Sequence, residues 1–314
     1  MARDTRGGAL MRGPLQRMMM HGLGAIALCC SVSAASASDV PYVPTPMNVV
    51  DAMLALGKVG PGDYLIDLGS GDGRISIRAA TRYGTRGFGV DLEANLVRDA
   101  TREARRQGVD AKVKFEARNI FDTDISRATV VTAYLLSSVN MRLRPELFAQ
   151  LKPGTRIVTH DFGFGEWAPD QKLTIDVPDK AYGPPNSDIM LWIIPVNLAG
   201  VWQWSLPSAS GVARYEARIE QKFQVLVGTA GTDAGNSRII EGRVTGTAVA
   251  WTLGSGAQQM RYSGVLAGDT IKGQVNTGGG VSQPWQARRV RAGRINISGD
   301  ADFRVAAVAF TKEQ

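Results

Sequence analysis

From Ser38 to Pro195, short apolar runs alternate with segments whose apolar residues recur every three or four positions; after Val201 the chain turns to short alternating stretches broken by glycines. The first pattern predicts strands alternating with helices, and the second predicts antiparallel hairpins. Met47–Leu56 reads as a helix with Thr45 as N-cap, Pro46 at the first helical position and Gly57 as terminator; Val49, Val50, Met53 and Leu54 form its apolar face. Strands are predicted at Tyr64–Leu68, Arg86–Val90, Lys112–Glu116, Thr129–Tyr134 and Arg156–His160. Helices are predicted at Arg74–Tyr83, closed by Gly84, then from Glu93 to about Gln107 and from about Val139 to Leu151. This alternation gives an α/β domain, a mostly parallel sheet with helices on both faces, whose ligands sit at the carboxyl ends of the strands.

The second region opens with Val201-Trp-Gln-Trp204, followed by strands at Tyr215–Ile219 and Phe223–Val227. An internal repeat follows, in which Ile240–Val249 matches Tyr262–Ile271 with both glycines in register. Each copy is a strand, a glycine turn and a strand, so the repeat describes successive hairpins of one antiparallel sheet. With Trp285–Val290 closing it, the pattern fits a small up-and-down β-barrel or a strongly curled sheet, resembling the lipocalin-like barrels of exported bacterial proteins. Trp202, Trp204, Trp251 and Trp285 are expected to fill its core rather than line a ligand cavity, and Asp302–Val308 is one more candidate strand.

The N-terminus changes the organisation. Arg3, Arg6, Arg12 and Arg17 precede the apolar stretch His21–Cys30 and the small residues Ser33–Ala37, the order of a secretory signal peptide with Ala35-Ser-Ala37 at the cleavage site. The expected division is a signal peptide over 1–37, an α/β domain over 38–200 and an antiparallel β-domain over 201–314, with the mature chain exported to the periplasm. Cys29 and Cys30 leave with the leader, which excludes disulfides and cysteine chemistry from the mature chain; a lone remaining histidine, His160, argues against a metal site. The net charge falls from +7 to +4 on cleavage, and no dense Lys/Arg tract argues for nucleic acid.

The strand ends carry the chemistry. Leu65-Ile-Asp-Leu-Gly-Ser-Gly-Asp-Gly-Arg74 is an apolar run that stops at three glycines, where backbone must approach a ligand more closely than a Cβ permits. A dinucleotide loop would carry a third glycine where Arg74 stands, and Asp67 and Asp72 flank the loop, which suits a cationic ligand better than a pyrophosphate. Asp91 ends the second strand, about twenty residues beyond the loop, where a carboxylate accepts from ribose hydroxyls. Asn119 and Ile120 follow the third strand, placed for an adenine amino group and face, and Tyr134 ends the fourth.

Residues 42–170 resemble a class I S-adenosylmethionine (SAM) dependent methyltransferase, with LIDLGSGDGR as that class's first motif. More narrowly, Tyr42-Val-Pro-Thr-Pro46, Val90-Asp-Leu-Glu93, Tyr134-Leu-Leu-Ser-Ser-Val139 and Val158-Thr-His-Asp-Phe162 resemble the small protein-lysine methyltransferases acting on the adenine nucleotide translocase and the ATP synthase c-subunit. That resemblance implies a Rossmann-like seven-stranded sheet, completed by strands near Lys172–Val177 and Asp188–Ile194, the last antiparallel. It implies SAM as cofactor, with Asp67, Gly69, Gly71 and Gly73 around its methionine part, Asp91 at the ribose, Asn119 and Ile120 at the adenine, Tyr42 to Thr45 closing over it, and Ser70, Asp72 and Leu92 as further cofactor-binding residues. It implies a protein substrate, a membrane-proximal target among the possibilities, and methylation of lysine side chains. A lysine acceptor must lose a proton before attack, and Tyr134 and Asp161 are the candidates to orient or accept from it. No Asp-Pro-Pro-Tyr-type motif follows the fourth strand, which counts against a nucleic-acid substrate. An exported binding protein that keeps a degenerate form of this fold for a nucleoside-like or hydrophobic ligand is the alternative, and a NAD-dependent oxidoreductase is opposed by Arg74 and the glycine spacing.

Overall fold

A computed structural model describes residues 42–256 and 259–298. The expected signal peptide and the candidate strand Asp302–Val308 lie outside them. The first domain runs α1 (Met47–Leu56), β1 (Tyr64–Leu68), α2 (Arg74–Tyr83), β2 (Arg86–Asp91), α3 (Ala94–Arg106), β3 (Val113–Ala117), β4 (Val130–Ala133), α4 (Ser137–Gln150), β5 (Arg156–His160), β6 (Gln171–Asp176) and β7 (Asn186–Ile193). The sheet order is β3-β2-β1-β4-β5-β7-β6, with β7 antiparallel to both of its neighbours. β4 is buried along its whole length and β5 along all but its first residue, as parallel strands covered on both faces must be. The chain leaves β1 between β2 and β4, so the carboxyl end of β1 is the switch point where a crevice opens.

Two local expectations change. Helix α1 begins at Met47, Pro46 takes the N-cap, and the Thr45 side chain makes no cap bond; its hydroxyl instead stands 3.4 Å from His160 Nδ1. Gly57 is still helical at φ −68°, and Lys58 at φ +49° is the residue that turns left-handed. The glycine at 57 serves close packing, since a Cβ there would sit 3.0 Å from Val158 Cγ2 on β5. By contrast Gly84 ends α2 in the left-handed conformation at φ +72°, as its position predicts.

The second domain is a closed barrel of eight antiparallel strands, β8 (Gly200–Ser208), β9 (Gly211–Lys222), β10 (Val225–Thr232), β11 (Gly235–Thr245), β12 (Ala248–Leu253), β13 (Met260–Ala267), β14 (Thr270–Asn276) and β15 (Ser282–Ala292), each paired with its chain neighbours and β15 with β8. Closure removes the edges an open sheet would expose. The repeat is two of its hairpins, β11–β12 and β13–β14, turning at Gly246 (φ +59°) and Gly268 (φ +57°). Inward positions of the alternating strands fill the interior: Trp204, Trp251, Tyr262 and Trp285 are buried and mutually packed at centroid distances of 4.9 to 6.4 Å, mostly edge to face. Trp202, two residues before Trp204 on β8, is also buried, its indole N–H donating to Leu198 O at 2.9 Å. The tryptophans are core.

The glycine spacing of the β1–α2 loop has a measurable packing reason. A Cβ on Gly73 would meet Phe115 Cζ at 2.5 Å and Ala100 Cβ at 2.9 Å, and its φ is +76°. Gly108 shares the positive φ (+69°) but has nothing within 4 Å of the added atom. Gly108→Ala is expected to cost about 1 to 2 kcal/mol for the left-handed backbone alone, and Gly73→Ala about 1 to 3 kcal/mol more for the clash. Urea unfolding of the two variants measures the difference.

Candidate functional site

The β1–α2 loop is laced to the end of β2. Gly69 N and Ser70 N both donate to Val90 O at 2.9 and 2.8 Å, Gly71 N donates to Asp91 Oδ2 at 2.8 Å, and Glu93 N donates to Asp91 Oδ1 at 3.0 Å. Gly69, Gly71 and Gly73 all have positive φ, a conformation that costs glycine nothing. The crossing is made possible from beneath by Gly89 of β2, where a Cβ would lie 2.5 Å from Ser70 Cβ. From above, the Tyr42 ring covers Gly71 so closely that a Cβ would collide with it.

Arg74 fixes the cover. Its Nη1 donates to Thr45 O at 2.8 Å while Nε and Nη2 grip the Asp72 carboxylate at 2.9 and 2.5 Å, joining the N-terminal strap to the loop. The residue that spoils a dinucleotide motif is thus the tie between strap and loop. Tyr42 stands beside Asp72, and burial together with that negative charge holds its hydroxyl pKa above the usual range.

A cavity of about 760 Å³ opens at this edge of the sheet. Of the sequence candidates, Tyr42, Thr45, Gly69, Ser70, Gly71, Asp72, Asp91, Leu92, Ile120 and Tyr134 line it. Asp67, Gly73, Asn119 and Asp161 do not. Asp67 lies behind the wall, 1% exposed, its Oδ1 accepting from Thr132 Oγ1 at 2.7 Å and its Oδ2 without a hydrogen-bond partner. Burial, with Asp91 and Asp72 nearby, pushes its carboxyl up to about 7 against the opposing pull of the Thr132 bond. Gly73 is spent on packing under α2. Asn119 turns inward, its Oδ1 accepting from Phe121 N at 3.0 Å to cap a single 3-10 turn, and leaves Ile120 to face the cavity.

At the far end of the cavity, Tyr134 stacks 3.9 Å from the His160 ring, and Phe162 follows 6.0 Å away. Burial, and then Asp161, raise the Tyr134 hydroxyl pKa. His160 is fully buried and pushed down to about 4 by that burial, so it is neutral at pH 7. Asp161 has φ +58° and turns away: Oδ2 pairs with the largely buried Lys180 ammonium at 2.7 Å and Oδ1 accepts from Asp188 N at 3.0 Å. Sequence reasoning missed Arg74 as a tie, Phe162 and Leu136 as wall, and Tyr182, which is 71% exposed yet faces the cavity. Arg74 left a local signal, two residues after an aspartate at a helix start, and Leu136 and Phe162 lie inside the Tyr134–Val139 and Val158–Phe162 motifs; Tyr182 left none.

Residues 67–171 match the model of the ANTKMT methyltransferase domain family. Over 156 residues the chain is 43% identical to a protein-lysine N-methyltransferase of Saccharolobus islandicus, a stretch that is 49% of this chain and 94% of that protein. The chain belongs to this methyltransferase family. It is also 35% identical over 132 residues to the adenine nucleotide translocase lysine N-methyltransferase of Mus musculus, using 42% of this chain and spanning 57% of that one. The crystal structure of an RNA methyltransferase from Salinibacter ruber in complex with S-adenosylhomocysteine is 49% identical and covers 50% of this chain and 96% of its own, with a TM-score of 0.45.

The methyltransferase's cofactor is SAM, and the residues fit it. Three glycines leave room at the loop, Asp91 offers a carboxylate beside it, and Asp67 keeps an unpartnered buried oxygen behind the wall. Asp72, Asp91 and Glu93 against Arg74 leave the lining acidic, complementary to a sulfonium and an ammonium. Because a cation favours the ionised form of Asp67, binding releases the proton that burial holds there. SAM affinity is therefore expected to rise on the order of tenfold from pH 6 to pH 8 and level off above, since the free carboxyl titrates near 7. Calorimetry across that range checks the slope, and Asp67→Asn is expected to flatten it.

Proposed function

We propose that this methyltransferase transfers the SAM methyl group to lysine ε-amino groups of a protein substrate, and that it does so after export to the periplasm. The observation that carries the acceptor reading is the two-sided cavity. One half is the acidic glycine-loop edge, and the other is an apolar and aromatic wall of Tyr134, Leu135, Leu136, Phe162 and Tyr182, chemistry that suits an alkyl side chain. The names of the two relatives support lysine as acceptor, and the order of charged, apolar and small residues in 1–37 supports export. A degenerate binding fold has less in its favour, because such a relic has no use for Asp67, three left-handed glycines and Asp91 in one register.

Methyl transfer from a sulfonium is an in-line displacement, so the protein's part is alignment, water exclusion and delivery of a neutral amine. A lysine ammonium titrates near 10.4 in water, and an apolar wall disfavours its charged form. With its pKa raised, Tyr134 keeps its proton at neutral pH and acts by orienting the amine lone pair rather than as a base. Asp161, held by Lys180, stands with Oδ2 3.3 Å from Nε2 of His160, the ring that packs against Tyr134.

Methylation of an arrayed set of single-lysine peptides and of Nα-acetyl-lysine methylamide, followed by mass spectrometry with residues 38–314, tests the reading. Transfer to the ε-amine is expected, and none to any probe sinks it. Tyr134→Phe is expected to lower kcat roughly 10- to 100-fold with SAM affinity unchanged. Tyr182→Ala is expected to raise the acceptor KM several-fold while kcat holds, since uniform binding is what it removes.

A further inference from the structure

The segment 162–168 joins β5 to β6 and begins at the cavity wall with Phe162. It contains Gly163 and Gly165 and, apart from a single bridge between Phe164 and Trp167, no regular structure. Left to itself such a segment is mobile, because glycines leave much backbone freedom to be lost on ordering. Its start is fixed by the first domain: Phe162 O accepts from Asn140 Nδ2 at 3.0 Å and Thr159 Oγ1 at 2.7 Å, and Phe164 O from Arg144 Nη1 at 3.1 Å.

Its end is fixed by the barrel. The β9–β10 hairpin inserts Phe223, 3% exposed, into the first domain's core, where its ring lies parallel to Trp167 at 5.7 Å (16°), beside Phe148, with the Arg144 guanidinium 5.2 Å away. Phe223 holds φ +50°, a strained conformation for a bulky side chain that persists only where surroundings demand it. The next residue, Gln224, is 2% exposed and spends both ends of its amide on the segment: Oε1 accepts from Trp167 Nε1 at 2.9 Å and Nε2 donates to Ala168 O at 2.7 Å. Trp167 O in turn accepts from Trp192 Nε1 at 2.8 Å. Just beyond, Arg243 of β11 pairs with Asp170 at 2.5 Å.

We infer that the barrel completes the acceptor side of the active site, Phe223 and Gln224 acting as positioning residues that hold the 162–168 segment and thereby set the Phe162 wall. The assignment rests on the reading that the acceptor enters along that wall. It gives the second domain a role in the reaction without any ligand inside the barrel. An isolated first domain would leave the Trp167 indole N–H and the Ala168 carbonyl without these partners and the end of the segment held only by the Trp192 bond and its packing.

Gln224→Leu keeps the volume and removes both hydrogen bonds. Amide hydrogen exchange over residues 163–168 is expected to quicken roughly tenfold or more while exchange in β13 and β14 stays as in the wild type. With the best single-lysine peptide from the array, KM is expected to rise about five- to tenfold and the SAM Kd to stay unchanged. Trp167→Phe is expected to give the same KM shift, and the double variant no more than either alone, because both cut one connection. Val275→Ala, which trims the barrel core away from the hairpin, is expected to leave KM alone. Unchanged exchange at 163–168, an unchanged KM, a SAM Kd that shifts in parallel, or an equal effect of Val275→Ala each overturns the inference. If the wild type methylates no peptide, the lysine reading fails, and the exchange result still decides whether Gln224 orders the segment.

Discussion

One hydrogen bond closes the site: the Gly71 amide donating to Asp91 Oδ2. It binds the turn after β1 to the end of β2, and it forms only because the loop visits left-handed backbone at three positions and because Gly89, with no Cβ, lets Ser70 pass over it. The same closure leaves Gly71 bare for the Tyr42 ring, places Asp72 where Arg74 can grip it, and so brings the strap of residues 42–45 over the cavity. A Cβ in that turn removes backbone freedom and space together, which is why the motif is written in glycine.

The parallel sheet was legible because its strands are short, apolar and ended by turn residues, a pattern dictated by burial on both faces. β1, α2 and β5 have the bounds their apolar runs predict. Asp91 and Ile120 were legible at the cavity for the same reason, since strand ends in an open α/β sheet point one way. What failed was local chemistry overruled by tertiary contact. Thr45 has the right type for a cap but faces His160 across 115 residues of sequence, and Gly57 looks like a terminator but is small for the sake of Val158. Asn119 has the hydrogen-bonding groups for an adenine, yet a backbone amide two residues on claims its oxygen first. Phe162, Leu136 and Tyr182 enter the cavity from loops, where no periodicity announces them.

The barrel shows the opposite balance. Its strands and repeat follow from alternation and glycine turns, yet its relation to the first domain lay in Phe223 and Gln224, which read only as the start of a strand. In the structure Phe223 belongs to the first domain's core although the chain places it in the second. A boundary drawn by composition near residue 200 therefore separates folding patterns, not packing units. Removing the second domain would unseat a buried aromatic ring from the first.

The distribution of charge divides the cavity into two chemical halves. Asp91 and Glu93 face the glycine-loop half, Asp67 stands behind it, and the Asp72–Arg74 pair is close to neutral, so a sulfonium there gains chiefly from Asp91 and Glu93. In the other half, His160 is neutral and buried, Asp161 is paired with Lys180 and turned away, and the wall itself is aromatic and aliphatic. A cation pays desolvation in that half with no free carboxylate of the wall to repay it, whereas a neutral amine does not. For a lysine acceptor the consequence is directional. The acidic half holds the cofactor's positive charge, and the apolar half favours the amine over its ammonium, so a lysine that gives its proton to bulk water enters more readily than one that keeps it.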